Sequence, residues 1–168
     1  MSDDAFWRTK TLAELTSEEW ESLCDGCAQC CRLKLEDEDT HRIGCTSVAC
    51  KLLDLDTCRC THYEERHIRV PDCIEFDAQA VAALHWLPPT CAYRLRAEGR
   101  ELMWWHHLVS GDRDTVHRAG ISVRGRAISE AHVHPDDIED RIVHWIEPPK
   151  LEQKGTEPNR IEPKRSAD

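Results

Sequence analysis

Cys24-Asp25-Gly26-Cys27-Ala28-Gln29-Cys30-Cys31 sets four thiols within eight residues, and this stretch constrains the fold more than any other part of the chain. A two-residue spacer lets a tight turn aim two thiolates at one metal ion, and Gly26 can take the positive φ that such a turn needs. Three cysteines in this rhythm can share a centre. The same spacing supplies three ligands to iron–sulfur clusters in bacterial ferredoxins, whereas structural zinc more often uses separated C-x2-C pairs, so both metals are admitted. The competing reading makes these cysteines small apolar core residues. Trp20, Leu23, Cys24, Cys27, Cys30 and Cys31 recur at helical intervals, and one helix face could bury them. Against that, Gly26 would cost a helix interior about 1 kcal/mol, and a core would more naturally use leucine.

Leu, Ile, Val and Phe make up about one residue in five of the chain's 168, the edge at which a charged sequence struggles to stay folded. Six tryptophans help. Metal coordination would cover the remaining shortfall, because a site that forms only in the folded state adds its binding free energy to folding. The length suits one domain, with a helical lead-in over 1–22, a cysteine-cluster metal-binding domain over 23–147 and a disordered tail over 148–168.

The first ten residues carry no basic start leading into an apolar run, and no later window is long and apolar enough to cross a membrane. A cytoplasmic location is therefore expected, with no membrane partner. In that reducing setting ten cysteines point to metal or redox chemistry rather than structural disulfides. The net charge of −10 repels nucleic acid, which is not an expected partner.

Along the chain, Thr16 and Glu19 have capping-box spacing ahead of Trp20, so a short helix should deliver Cys24. Leu33 and Leu35, an acidic turn over 36–40, and Ile43 with Cys45 read as a hairpin. The acidic run lacks the ligand order and glycine of an EF-hand. Asp77 to Leu87 reads as a helix capped by Asp77, and Thr90 to Glu98 as a second, capped by Thr90 and stopped by Gly99. Arg113 to Arg118 reads as a short helix ending before Gly120, and Ile121 with Val123 as a strand. Pro135 should open a last helix whose stripe is Ile138, Ile142, Trp145 and Ile146, ended by Pro148-Pro149. Beyond it, 150–168 is charged and proline-rich.

Three more thiols lie in Val48-Ala-Cys50-Lys-Leu-Leu-Asp-Leu-Asp-Thr-Cys58-Arg-Cys60, and Cys73 and Cys91 each follow a proline-stiffened loop. Together with Trp86-Leu-Pro-Pro-Thr-Cys91-Ala-Tyr-Arg-Leu and His117-Arg-Ala-Gly-Ile-Ser-Val-Arg-Gly-Arg126, these motifs resemble the CxxCxxCC cysteine-cluster family of bacterial proteins, over about Leu23 to Trp145. The resemblance implies a zinc- or iron-chelating domain and names no reaction. Carried over position by position, it implies Cys24, Cys27, Cys30, Cys31, Cys50, Cys58, Cys60, Cys73 and Cys91 as metal ligands. Cys45 falls outside the pattern, and His107 stands where the family would have proline.

Nine thiols can fill two four-ligand sites with one left over, or share bridging thiolates in one polynuclear cluster. Adjacent side chains diverge by about 100° on a helix and point to opposite faces of a strand, so Cys30 and Cys31 serve two metals more easily than one. Soft thiolates suit zinc, iron or Cu(I) and suit magnesium and calcium poorly. His62, two residues after Cys60, and then His67 are the best-placed histidines to complete a site, whereas His106 and His117 read as hydrogen-bonded structural histidines.

Three functional classes follow. The first is a thiolate chelator that holds zinc or iron to build its own fold, or to buffer, sense or hand on metal. The second is an iron–sulfur redox protein or metal-dependent enzyme using Cys24, Cys27 and Cys30 with Cys73 or Cys91. No Ser-His-Asp order, phosphate loop, H-E-x-x-H or dinucleotide fingerprint is present, so an enzyme here would work through its metal. The third is an interaction module whose basic segment, Arg113 to Arg126, docks a phosphate or an acidic partner. The expected fold class is α+β, a small domain that is irregular and loop-rich around the cysteine cluster, with several short helices.

Overall fold

Two short helices open the chain in the computed structural model, which describes residues 5–148: α1, Phe6–Thr9, and α2, Ser17–Leu23. At the head of α2 the Thr16 hydroxyl accepts from the Glu19 amide at 3.1 Å, while the Glu19 carboxylate accepts from the Thr16 amide at 2.8 Å. This reciprocal pair satisfies two donors that a helix start would otherwise leave bare. The helix then delivers its apolar face, with Leu23 fully buried, against Val81, Leu87 and Tyr93.

β1, Arg32–Glu36, and β2, Ile43–Ala49, form the expected hairpin, with Lys34 opposite Cys45 and Glu36 opposite Ile43. β2 is the spine of a four-stranded sheet. Its far edge is shared: β6, Ile142–Ile146, pairs antiparallel along its first half, and β5, Ile128–Ser129, pairs parallel at Val48 and Ala49. A second, two-stranded ladder joins β3, Leu53–Asp54, to β4, Arg59–Cys60. Helices α3, Arg66–Arg69, α4, Ala78–Ala83, α5, Ala92–Ala97, α6, His107–Ser110, and α7, Thr115–Arg118, complete the mixed α and β domain. No helix of the described residues is long and apolar enough to cross a membrane.

Several expectations need correction. The stretch opened by Pro135 is not a helix: two 3-10 turns, Pro135–Asp137 and Glu139–Arg141, lead into strand β6. Ile142, Val143 and Ile146 are β-branched, and the open edge of β2 offers them a ladder of backbone hydrogen bonds. Ile121 and Val123 form no strand, because the Ile121 amide donates to the Val116 carbonyl and the Val123 amide donates to the Cys27 carbonyl. Helix α5 is capped at Cys91 rather than Thr90, and α4 ends at Ala83, four residues short of Leu87. Asp77 does cap α4, accepting from the Ala80 amide at 2.7 Å. Of the tail expected over 148–168, residues 149–168 lie outside the described residues.

Candidate metal centre

The loop from Cys24 to Cys31 is built by local turns that the sequence dictates. Asp25 is buried, and its Oδ1 accepts from the Cys27 amide at 3.0 Å, folding Cys24 and Cys27 towards one another. Gly26 sits at φ +82°, where a side chain is disfavoured, and Ala28 accepts the same left-handed region at φ +61°. A 3-10 turn, Gln29–Cys31, then presents the adjacent cysteines. From across the fold, the Gln29 side-chain amide donates to the Ile121 carbonyl at 2.6 Å and the Trp105 indole N–H reaches Asp25 Oδ2 at 3.4 Å.

The remaining cysteines arrive from four other elements. Cys50 follows β2, and its amide donates to the Cys31 carbonyl at 2.9 Å, tying the two segments together. Cys58 and Cys60 come from the β3–β4 ladder, whose turn is held by Asp54 Oδ1 accepting from the Asp56 and Thr57 amides. Cys73 closes a turn after α3, its amide donating to the Val70 carbonyl, and Cys91 stands at the N-terminus of α5. All ten cysteines are free thiols.

Electrostatic influence groups these thiols into two adjoining sets that also feel one another. Cys24, Cys27 and Cys91 all feel Cys30, and Cys24 and Cys91 feel each other's neighbour Asp25. Cys73 feels Cys50 and Cys60, Cys50 feels Cys60, and Cys31 feels Cys50, while Cys31 also feels Cys24 and Cys73 also feels Cys30 across the two sets. Packing divides the adjacent pair in the same way. Cys30 packs with Cys91 against the Leu23 and Tyr93 group, whereas Cys31 packs with Cys58, Ala49 and Val123. The two sets meet where the Cys31 thiol hydrogen-bonds to Cys30.

Burial and neighbouring negative charge hold most of these groups protonated. Burial, then the Asp25 carboxylate, pushes the Cys27 thiol well above its ordinary value; burial pushes Cys91 up to about 12. Cys24 keeps much of its residue surface open, but its thiol is raised by the same causes in the same order as Cys27. Cys30 is the exception, lowered first by its hydrogen bond with Cys31 and then by the Lys34 ammonium. Sequence reasoning missed Asp25 and Lys34. Lys34 lies 4.5 Å over the Trp86 ring and donates to the Cys30 and Arg32 carbonyls at 3.1 and 2.8 Å. A Cys-Asp-Gly-Cys turn signals the first; nothing local signals the second.

Cys45 stands apart in β2, opposite Lys34 and His144, and its electrostatic neighbours are Lys34 and Arg32. His62 is exposed and contacts Thr61 Oγ1 at 3.0 Å, and the buried Nε2 of His67 has no hydrogen-bond partner among the described residues. Among those residues no group of three or more Cys, His, Asp or Glu side chains is arranged to hold a metal ion as it stands. The donor chemistry fits a soft cation all the same, because eight free thiols from five segments are electrostatic neighbours.

The segment Leu23 to Ala92 matches the model of the CxxCxxCC family, described as "Putative zinc- or iron-chelating domain", over residues 23–92. Among curated relatives, a UPF0260 protein of Agrobacterium fabrum is 60% identical over 145 residues, covering 86% of this chain and 90% of the relative. A UPF0260 protein of Sinorhizobium fredii is 57% identical with 86% and 94% coverage, and one from Rhodopseudomonas palustris is 58% identical with 85% and 85%. No solved structure matches. The chain belongs to the UPF0260 family and carries the CxxCxxCC domain.

Proposed function

We propose that the protein holds zinc or iron through thiolates in two adjoining sets, Cys24, Cys27, Cys30 and Cys91 in one and Cys31, Cys50, Cys60 and Cys73 in the other. Cys58, packed beside Cys31, is the ninth thiol. The observation that carries this reading is the parting of Cys30 and Cys31 into different packed groups while their thiols remain in contact. When bound, the metal supplies the positive charge that lets buried thiols ionise. The protein's own residues do the rest: Asp25 and Gly26 shape the turn, Trp105 shields it, and Lys34 lends positive charge beside Cys30. Sites closed by four thiolates leave no open position for substrate, which favours holding, buffering or handing on metal over catalysis. Ten free thiols also suit a reducing compartment such as the cytoplasm.

A second reading has one specific observation in its favour. The x2-x2 cysteines with a remote fourth form an iron–sulfur ligand pattern, and the remote Cys91 lies within electrostatic range of Cys24 and Cys30. Protein purified without oxygen, assayed for zinc, iron and acid-labile sulfide with an absorption spectrum, separates the two. Zinc, or iron without sulfide, supports chelation. Iron with equal sulfide and broad absorbance near about 400 nm replaces it with the cluster reading. Absence of zinc, iron and sulfide overturns both.

A further inference from the structure

A cavity of about 410 Å³ opens where the start of β1, the end of β2, strand β6 and the 121–126 turn meet, and no thiol lines it. Its polar wall consists of Gln29, Arg32, Ser47, Ser122, Arg126 and His144, and no carboxylate lines it. In a chain of net charge −10 that is an uneven distribution. Two arginines of the basic segment noted in the sequence are held elsewhere. Arg118 pairs with Asp112 at 2.6 Å and the Arg124 Nε donates to the Asp56 carbonyl at 2.6 Å, while of that segment's arginines only Arg126 lines the cavity.

Neither guanidinium in the cavity is compensated. Among the described residues, no ion pair or side-chain hydrogen bond engages Arg32 or Arg126, and the Arg32 Nε is shielded from solvent without a partner. A charged donor kept from water without an acceptor is costly, and proteins rarely leave one so. His144 feels Arg32: its pKa is lowered by burial, then by Arg32 and Lys34.

We infer that this cavity is a binding site for a phosphate-bearing small molecule. A phosphate offers acceptor oxygens to two guanidinium forks at once, and the serine hydroxyls, the Gln29 amide and the His144 imidazole supply further polar groups in the same wall. The volume lies in the range of small-molecule sites and exceeds that of the inorganic anion alone, which leaves room for a phosphate ester. None of the proposed metal ligands lines the cavity, while Gln29 and Arg32 of its wall flank Cys30 and Cys31 in the chain.

Calorimetric titration of the full chain with inorganic phosphate, glycerol 2-phosphate and acetate tests it. The expected result is binding of one or both phosphates, weakened about tenfold or more in Arg126→Gln and unchanged in Arg113→Gln, a charge-matched control outside the cavity. Arg126 is exposed, so its replacement leaves the fold and the metal content intact. Preference for glycerol 2-phosphate identifies an ester as the ligand, and preference for phosphate identifies the free anion. No phosphate binding, equal weakening in both variants, or acetate binding as tightly as phosphate overturns the inference.

Discussion

His106 Nε2 donates to the carbonyl oxygen of Leu23 at 2.7 Å, joining a buried imidazole to the last residue of the helix that launches Cys24. The tautomer follows from the other nitrogen, because His106 Nδ1 accepts from the Leu108 amide at 3.0 Å and so carries no proton. Two neighbours do the same for the same turn: His107 Nε2 donates to the Ser22 carbonyl at 2.8 Å, and the Tyr93 hydroxyl donates to the Trp20 carbonyl at 2.6 Å. The last carbonyls of a helix have no partner within it. Here side chains from α5 and α6 answer them, so the exit of α2 is fixed from outside before the cysteine loop begins.

His106→Ala should therefore destabilise the protein by about 3 kcal/mol, combining an unpaired buried carbonyl with a cavity. Burial, its largest influence, lowers the His106 pKa below 6.5, so on acidification the unfolded chain takes up this proton first. The contribution of neutral His106 is complete above 6.5 and declines as pH falls below it towards the lowered value. In denaturant titrations the gap between wild type and His106→Ala should narrow between about pH 7.5 and about pH 5.5. A gap that stays constant would mean that His106 is not held neutral.

Gly44 in β2 leaves room for β6: a Cβ built there would stand 2.7 Å from Ile142 Cδ1 and 3.1 Å from its Cγ1. Gly44→Ala should cost about 1–3 kcal/mol through this overpacking. Ile142→Val removes the nearest methyl, so the same glycine replacement made in that background should cost less. Equal costs in the two backgrounds, measured by thermal or chemical unfolding, would show that the strands do not meet at this point.

What was legible in the sequence was what neighbours along the chain decide. The cap of α2 needs only Thr16 and Glu19, the β1–β2 hairpin needs alternation on either side of one acidic turn, and the Cys24 to Cys31 loop is encoded in eight consecutive residues. The family itself was legible from its motifs, and the comparisons bear it out. What failed depended on distant partners. Ile138, Ile142, Trp145 and Ile146 fit a helical period, but the vacant edge of β2 at Ile43 to Thr46 made the same segment a strand. Ile121 and Val123 alternate like a strand, yet their amides are taken by Val116 and Cys27. His106 is the hydrogen-bonded histidine the sequence suggested; only its partner, a carbonyl 83 positions earlier, lay beyond any local pattern.

The most direct measurement is metal per chain, by elemental analysis and native mass spectrometry, for wild type, Cys30→Ser, Cys31→Ser and Cys45→Ser purified without oxygen. With two thiolate sets meeting at Cys30 and Cys31, wild type and Cys45→Ser should carry the same two centres, and each of the other variants should keep only the centre served by the remaining cysteine. A single centre lost equally in both variants, or metal content unchanged in all three, would contradict the two-set account.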